Sequence, residues 1–164
     1  MTPTVGIPYN CAMSSADRPR ALLRWPTYLM GRLHRAGVAR IDEELAAAGT
    51  SLREFYVLVC VGEYGPLSQQ SVADRLGLDR SDLVKVLDRL ESAGWVVRER
   101  DTEDRRRHAL TVTGDGRAVV AKTEEISAAV TGELLARLTP RERDTLHRLL
   151  LKASGDGRIS RPGT

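Results

Sequence analysis

The sequence predicts a mainly α fold with one short β-hairpin. Apolar residues recur at three- and four-residue steps in several segments, which is the spacing of helices with one buried face. Glycine, proline and capping residues separate these segments at short intervals. Past the middle of the chain, between residues 95 and 113, two stretches of strand composition flank a charged turn. The elements therefore predict a chain of helices interrupted once by a hairpin, an α+β fold.

Length and composition limit the class of protein. A chain of 164 residues suits one domain, and 41% apolar residues are enough for a core. No apolar run approaches the length of a membrane span, and the first residues lack the basic start and apolar stretch of a signal peptide. Two cysteines far apart in sequence argue against a disulfide framework and favour a reducing cytoplasm. The formal charge of +3 makes the chain only mildly basic.

Two helices are predicted in the first part of the chain. Residues 1–17 have no hydrophobic periodicity and are expected to form a flexible tail. A long helix is predicted over residues 27–48, and its apolar residues are spaced for burial: Leu29, Leu33, Ala36, Val38, Ile41 and Leu45. Ser51 and Glu54 have the spacing of a capping box, which opens a second helix over 52–63. The core stripe expected for that helix is Phe55, Leu58 and Val59.

The next two helices predict a helix-turn-helix. Ser68 caps a short helix over residues 69–76, which Gly77 ends. Asp79 caps the following helix only two residues later, so the two helices are joined by a tight glycine turn. The apolar face of this last helix consists of Leu83, Val86, Leu87 and Leu90. Its opposite face carries Arg80, Ser81, Lys85 and Arg89. Gly94 has the position of a left-handed residue that closes the helix.

A charged hairpin follows. Residues 95–97 and 109–113 have strand composition, and the segment between them is nearly all charged. A polar helix face beside a basic hairpin suits DNA, with the helix in the major groove and the hairpin at the flanking minor groove. Residues 75–107 contain nine basic and eight acidic side chains. DNA binding would therefore depend on which charges face outward, because no uniform basic patch exists.

The end of the chain is again helical. Gly114 and Gly116 predict a hinge before a long helix over residues 117–138. The apolar residues of that helix are Val119, Val120, Ile126, Val130, Leu134 and Leu138. Thr139 caps a final helix that contains Leu146, Leu149 and Leu150. Residues 154–164 are polar and are expected to be flexible. The long helices on both sides of the hairpin region carry more apolar surface than one small domain buries, which favours a dimer.

This order of elements resembles the MarR family of bacterial transcriptional regulators over residues 27–153. The most specific part is the family's wing signature, carried here by Asp104, Arg105, Arg106, Leu110, Val112, Thr113 and Gly116. The segment LDRLESAGWVVRERD is also typical of the family's recognition helix running into the wing. The chain departs from the family pattern at Thr102, where proline is common, and at Asp82-Leu83, where Thr-Val is frequent. The change at Asp82 affects the expected base preference and not the fold.

The resemblance implies a winged helix-turn-helix DNA-binding domain over residues 52–113, with dimerisation helices over 18–48 and 117–153. It implies a homodimeric repressor of a pseudo-palindromic operator on double-stranded DNA, released by a small aromatic or apolar ligand. The candidate DNA-binding residues are Ser68, Gln69, Gln70, Arg80, Ser81, Asp82, Lys85, Arg89, Arg105 and Arg106. The first three suit a phosphate at a helix N-terminus, and arginine and aspartate on the recognition helix can read guanine and cytosine.

Two further roles follow from the resemblance. Arg106 matches the wing-tip arginine that enters a narrow minor groove, where the negative potential is enhanced. Asp104 is expected to orient that arginine, because a carboxylate and a phosphate repel each other. The aromatic residues Trp25, Tyr28 and Tyr56 are candidates for a ligand cleft, with ordinary core packing as the alternative.

Other classes of function have little support in the sequence. No glycine-rich phosphate loop, nucleophile motif or cofactor motif is present, and His34, His108 and His147 lack metal-ligand spacing. Two alternatives stay open: a winged-helix module that docks another protein, and a redox sensor that uses Cys11 or Cys60. For Cys60, a place beside a buried stripe favours a small core residue over a sensor.

Overall fold

The computed structural model describes residues 19–100 and 108–156. After a short 3₁₀ helix at Leu22–Arg24, the helices are α1 (Pro26–Ala47), α2 (Leu52–Tyr64), α3 (Gln69–Leu76), α4 (Arg80–Ser92), α5 (Gly114–Leu134) and α6 (Pro140–Ser154). The strands are β1 (Leu67–Ser68), β2 (Val96–Arg100) and β3 (His108–Val112). The predicted mainly α fold with one hairpin is confirmed.

The hairpin belongs to a three-stranded antiparallel sheet in the order β1-β3-β2. Val96 pairs with Val112 and Arg98 with Leu110 in the hairpin, and Leu67 of β1 pairs with Leu110 from the other side. The sequence did not predict β1, because two residues are too few to show an alternating pattern. Since β1 runs directly into α3, it fixes the start of that helix against the hairpin.

The core lies between α2, α3, α4 and the sheet. Its almost fully buried members are Val57, Leu58, Val61, Val72, Leu83, Leu87, Leu90, Val96 and Leu110. The predicted apolar face of α4 is therefore confirmed. The predicted stripe of α2 is partly wrong, because Phe55 and Val59 are only half-buried. Since α3, α4 and α5 all contact α2, the buried face of α2 is rotated and widened relative to the predicted stripe.

The long helix α1 packs along α5. A Cβ atom at Gly37 would lie 3.3 Å from Leu134 Cδ2, which shows how closely the two helices approach. The buried residues of α1, Gly37 and Leu45, both lie in its second half. Leu29 and Leu33 in the first half are 38% and 41% exposed, so their predicted burial is wrong for a single chain.

The predicted glycine hinge is also wrong. Helix α5 begins at Gly114, and Thr113 caps it by accepting a 3.0 Å hydrogen bond from the Gly116 amide. A Cβ atom at Gly116 would lie 2.2 Å from the Trp95 carbonyl oxygen. The glycine at this position therefore permits close packing of α5 on the start of the hairpin. Helix α5 ends at Leu134, four residues before the predicted end.

Helix α6 begins with a full capping box. The Thr139 hydroxyl accepts from the Glu142 amide, and the Glu142 carboxylate accepts from the Thr139 amide at 2.8 Å. None of its residues is buried, and Leu149 and Leu150 are exposed. Within the described ranges, no single helix is long and apolar enough to cross a membrane; α1 and α2 reach that length and composition only as a pair bent by 86°.

Candidate nucleic-acid interface

Capping interactions hold the turn between α3 and α4. The Ser71 amide donates to the Ser68 hydroxyl at 3.1 Å, and Gly77 closes α3 with a φ of 62°. Asp79 then caps α4 by accepting from both the amide and the hydroxyl of Ser81. The hydrogen bond from the Ser81 hydroxyl has the larger effect and that from the Ser81 amide the next, and both lower the pKa of Asp79 below its ordinary value. The Asp79 carboxylate therefore stays charged at the helix N-terminus. The predicted helix-turn-helix is present.

Helix α4 has one buried and one outward face. Its four buried residues are the predicted ones, and Arg80, Ser81 and Lys85 are exposed on the other side. Val84 and Asp88 share that outward side and are also exposed. The outward face therefore combines two cations, a hydroxyl, a carboxylate and one apolar side chain.

Asp82 lies between two cations. Its carboxylate is 3.5 Å from Arg53 Nη1 of α2 and 3.8 Å from Lys85 Nζ. The two positive charges offset the carboxylate locally and reduce the repulsion it would exert on a phosphate. The sequence did not single out Arg53, because its position in the first turn of α2 gives no signal of a contact with α4.

Arg89 is held against α2. Its Nε contacts the Glu54 carboxylate, and its Nη2 donates to the Gly49 carbonyl at 2.9 Å. Glu54 is 3% exposed and also accepts from the Thr50 hydroxyl. The predicted capping box is therefore half formed: Ser51 caps the Glu54 amide, while the Glu54 carboxylate binds Thr50 and Arg89. This network joins the end of α1, the start of α2 and the recognition helix.

The hairpin is tied to α4 through Arg98. Its Nη2 donates to Asp88 at 3.2 Å, and its Nε lies 2.9 Å from Glu91, outside the alignment of a hydrogen bond. Both acidic residues belong to the second half of α4, so the base of the wing and the recognition helix keep a fixed relation. The predicted wing residues Asp104, Arg105 and Arg106 lie outside the described residues.

The three residues at the start of α3 differ in their surroundings. Ser68 is half-buried and uses its hydroxyl in the cap, and Gln69 is half-buried. Gln70 is exposed and donates to Asp74 one turn later. Contact between the N-terminus of α3 and a DNA phosphate stays a prediction.

The predicted ligand-cleft residues differ in their exposure. Trp25 and Tyr56 are exposed, and Tyr28 is half-buried with the Arg32 guanidinium 6.0 Å from its ring centre. A groove of about 580 Å³ lies between α5 and α6, and none of these three residues lines it. The cleft at these aromatic residues stays a prediction.

Cys60 is buried in the core beside Val57 and Val61. Burial raises the pKa of its thiol above the ordinary value, which disfavours the reactive thiolate. The core interpretation of Cys60 is favoured, and Cys11 lies outside the described residues.

Comparison with known proteins identifies the family. The family model described as MarR family matches residues 50–108, from two residues before α2 to the start of β3. An HTH-type transcriptional regulator of Bacillus subtilis, YkoM, is 34% identical over 105 residues, which cover 64% of this chain and 68% of YkoM. The chain belongs to the MarR family. A transcriptional regulatory protein assigned to the hcr operon of Thauera aromatica is 39% identical over 84 residues, and that match spans 51% of each protein.

Solved structures of other proteins share the fold. The transcriptional repressor CouR bound to a 23-mer DNA duplex superposes with a TM-score of 0.67 at 29% identity, over 81% of this chain and 94% of CouR. The Mycobacterium tuberculosis MarR family protein Rv2887 in complex with salicylic acid gives 0.66 at 28% identity, over 84% and 98% of the two chains. The winged helix-turn-helix is therefore confirmed. Because MarR-family relatives are transcriptional regulators, the prediction that this chain is not an enzyme is confirmed as well.

Proposed function

We propose that this chain is a homodimeric repressor that inserts α4 into the major groove of a pseudo-palindromic operator. The observation that carries the proposal is the geometry of α4, which buries four apolar side chains and turns Arg80, Ser81 and Lys85 outward. An α-helix fits into the major groove, where cationic and hydroxyl side chains contact phosphates and base edges. The DNA-bound relative CouR supports this use of the fold.

The proposed contacts fall into three groups. Arg80, Ser81, Asp82 and Lys85 face base edges and nearby phosphates from α4. The N-terminus of α3, with Ser68, Gln69 and Gln70, faces the phosphate backbone. Arg106 enters the flanking minor groove, Asp104 orients that arginine, and Arg105 is a further DNA-binding residue of the wing. Arg89 lies outside this set, because its guanidinium already binds Glu54 and the Gly49 carbonyl.

The proposal of a homodimer rests on apolar side chains that the single chain leaves exposed. Seven of them lie in the segment from the 3₁₀ helix into α1 and in α6: Leu23, Trp25, Leu29, Met30, Leu33, Leu149 and Leu150. Leu29 and Leu33 are four residues apart, so they share one side of α1, and contiguous exposed apolar surface marks interaction sites. A second copy that covers them would hold two recognition helices in a fixed arrangement. Such a dimer binds two operator half-sites whose centres are about one helical turn of DNA apart.

Release by a small aromatic ligand is the finer part of the proposal. The relative Rv2887 binds salicylic acid, and Trp25, Tyr28 and Tyr56 offer aromatic surface near the dimer helices of this chain. A ligand that prefers a dimer with wrongly spaced recognition helices would shift the population away from the DNA-binding form. Titration of salicylate into an operator complex tests this step. An operator affinity that stays constant across the titration would reject salicylate-type control.

Selection of binding sites from a random DNA library tests the main proposal. The full chain is expected to enrich an inverted repeat. The amount of DNA that the protein retains should fall steeply between a low and a moderate salt concentration, because counterions return to the phosphates. Failure to enrich any sequence at either salt concentration would reject the proposed function and favour a module that docks another protein.

A further inference from the structure

One apolar side chain lies on the outward face of the recognition helix. Val84 is 38% exposed, whereas the other apolar residues of α4 (Leu83, Val86, Leu87 and Leu90) are all buried. It comes three residues after Ser81 and four before Asp88, so these three side chains line one side of the helix. A β-branched residue at the exposed centre of a helix lowers helix propensity. Its presence there is not accounted for by the core or by helix stability.

The surroundings of Val84 indicate what could cover it. Arg80, Ser81 and Lys85 surround it with groups that suit phosphates and polar base edges. A single valine within such a face is too small an apolar area for a protein docking site. In the major groove, however, one apolar group occurs on the base edges, the C5-methyl group of thymine.

We propose that Val84 contacts the C5-methyl group of one thymine in each half-site and so selects T·A at that position. The proposal rests on the proposed function, because it requires α4 to lie in the major groove. It adds a specificity-determining residue to the polar contacts of α4. The polar neighbours set the position of the helix on the duplex, and Val84 reads the base pair through the methyl group alone.

Replacement of thymine by deoxyuridine tests the contact directly, because it removes the methyl group and leaves the hydrogen-bonding edge unchanged. The operator enriched by selection is synthesised with deoxyuridine at each half-site thymine in turn. With the wild-type chain, one such position per half-site should weaken binding roughly three- to tenfold, the scale of one buried methyl group. With Val84→Ala, the unmodified operator should bind more weakly, and deoxyuridine at that position should have no further effect.

Val97→Ala is the matched control, because Val97 is equally exposed at 39% but lies on β2. This variant should keep the full sensitivity to deoxyuridine. A wild-type chain that ignores deoxyuridine at every position, or a Val84→Ala variant as sensitive as the wild type, would overturn the methyl contact while sequence-specific binding persists. Enrichment of half-sites that contain no T·A pair would overturn it too. Failure to enrich any operator would instead overturn the proposed function and this inference with it.

Discussion

At the scale of single residues, Gly116 shows how one missing side chain sets the position of a helix. A Cβ atom there would lie 2.2 Å from the Trp95 carbonyl oxygen and 2.7 Å from Val112 Cγ1. Gly116→Ala should therefore push α5 away from the hairpin and lower the free energy of unfolding by about 1–3 kcal/mol, the scale of overpacking in a core. Urea denaturation monitored by circular dichroism measures this change.

Gly114 provides the control for that substitution. It lies in the same first turn of α5, and no atom comes within 4 Å of where its Cβ would be. Gly114→Ala should leave stability unchanged or raise it slightly, because alanine restricts the unfolded chain and favours a helix. Equal effects of the two substitutions would show that the glycines act through helix propensity and not through contact with Trp95.

The residues that the sequence did and did not identify differ in the range of their interactions. Ser68, Gly77 and Asp79 act on backbone within four residues, so their spacing alone predicted the caps. Arg53 contacts Asp82 from another helix, and no local pattern reports such a contact. Val84 was missed for a different reason: the apolar period of α4 was already complete without it. Exposure of an apolar residue becomes visible only when the fold is known.

At the scale of elements, the Glu54–Arg89 pair joins the recognition helix to α2. Glu54 is almost fully buried, while Arg89 is largely exposed, so the charge of Glu54 depends on Arg89 and on the Thr50 hydroxyl for its stabilisation. Glu54→Gln removes the charge and weakens both contacts. After allowance for solvent around Arg89, we expect a loss of about 1–2 kcal/mol in the free energy of unfolding.

An exposed pair on α5 serves for comparison. Lys122 and Glu125 lie 3.1 Å apart one turn from each other, and both are well exposed. Glu125→Gln should change stability by less than about 0.5 kcal/mol, as surface ion pairs usually do. If Glu54→Gln were as mild as Glu125→Gln in urea denaturation, the link between α2 and α4 would have no energetic role.

The sequence predicted the limits of the helices better than the contacts between them. The limits of α2, α3 and α4 follow from caps and glycines, and they agree with the structure to within a few residues. Glu54 has the spacing of a capping box with Ser51, yet its carboxylate binds a residue 35 positions away. Strand β1 exists because β3 lies beside Leu67, and a two-residue strand has no periodicity of its own.

At the scale of the whole molecule, the exposed apolar residues of α1 and α6 give a prediction about assembly. A hydrophobic period shows which side of a helix is apolar but not whether the same chain covers that side. Leu149→Glu combined with Leu150→Glu should shift the protein toward monomer, because two charges would be buried in the proposed interface. Sedimentation across a range of concentrations measures the shift. Val97→Glu, on β2, is the control and should leave the dimer intact.

Loss of the dimer should also weaken operator binding, because a monomer engages one half-site and loses the second contact. A wild-type chain that sediments as a monomer at micromolar concentration would reject the homodimer. Sequence-specific binding by a monomeric double variant at wild-type affinity would show that the half-sites are read independently.

The central claim is that the outward face of α4 contacts DNA. It is tested most directly by the operator affinity of an Arg80→Ala/Lys85→Ala variant, measured by fluorescence anisotropy over a salt series, with Lys122→Ala on α5 as the control cation. We expect the double variant to bind at least about tenfold more weakly and to reduce the slope of log affinity against log salt by roughly one to two. The control should match the wild type. If the double variant bound the operator with the affinity and salt dependence of the wild type, α4 would not be the DNA-reading element.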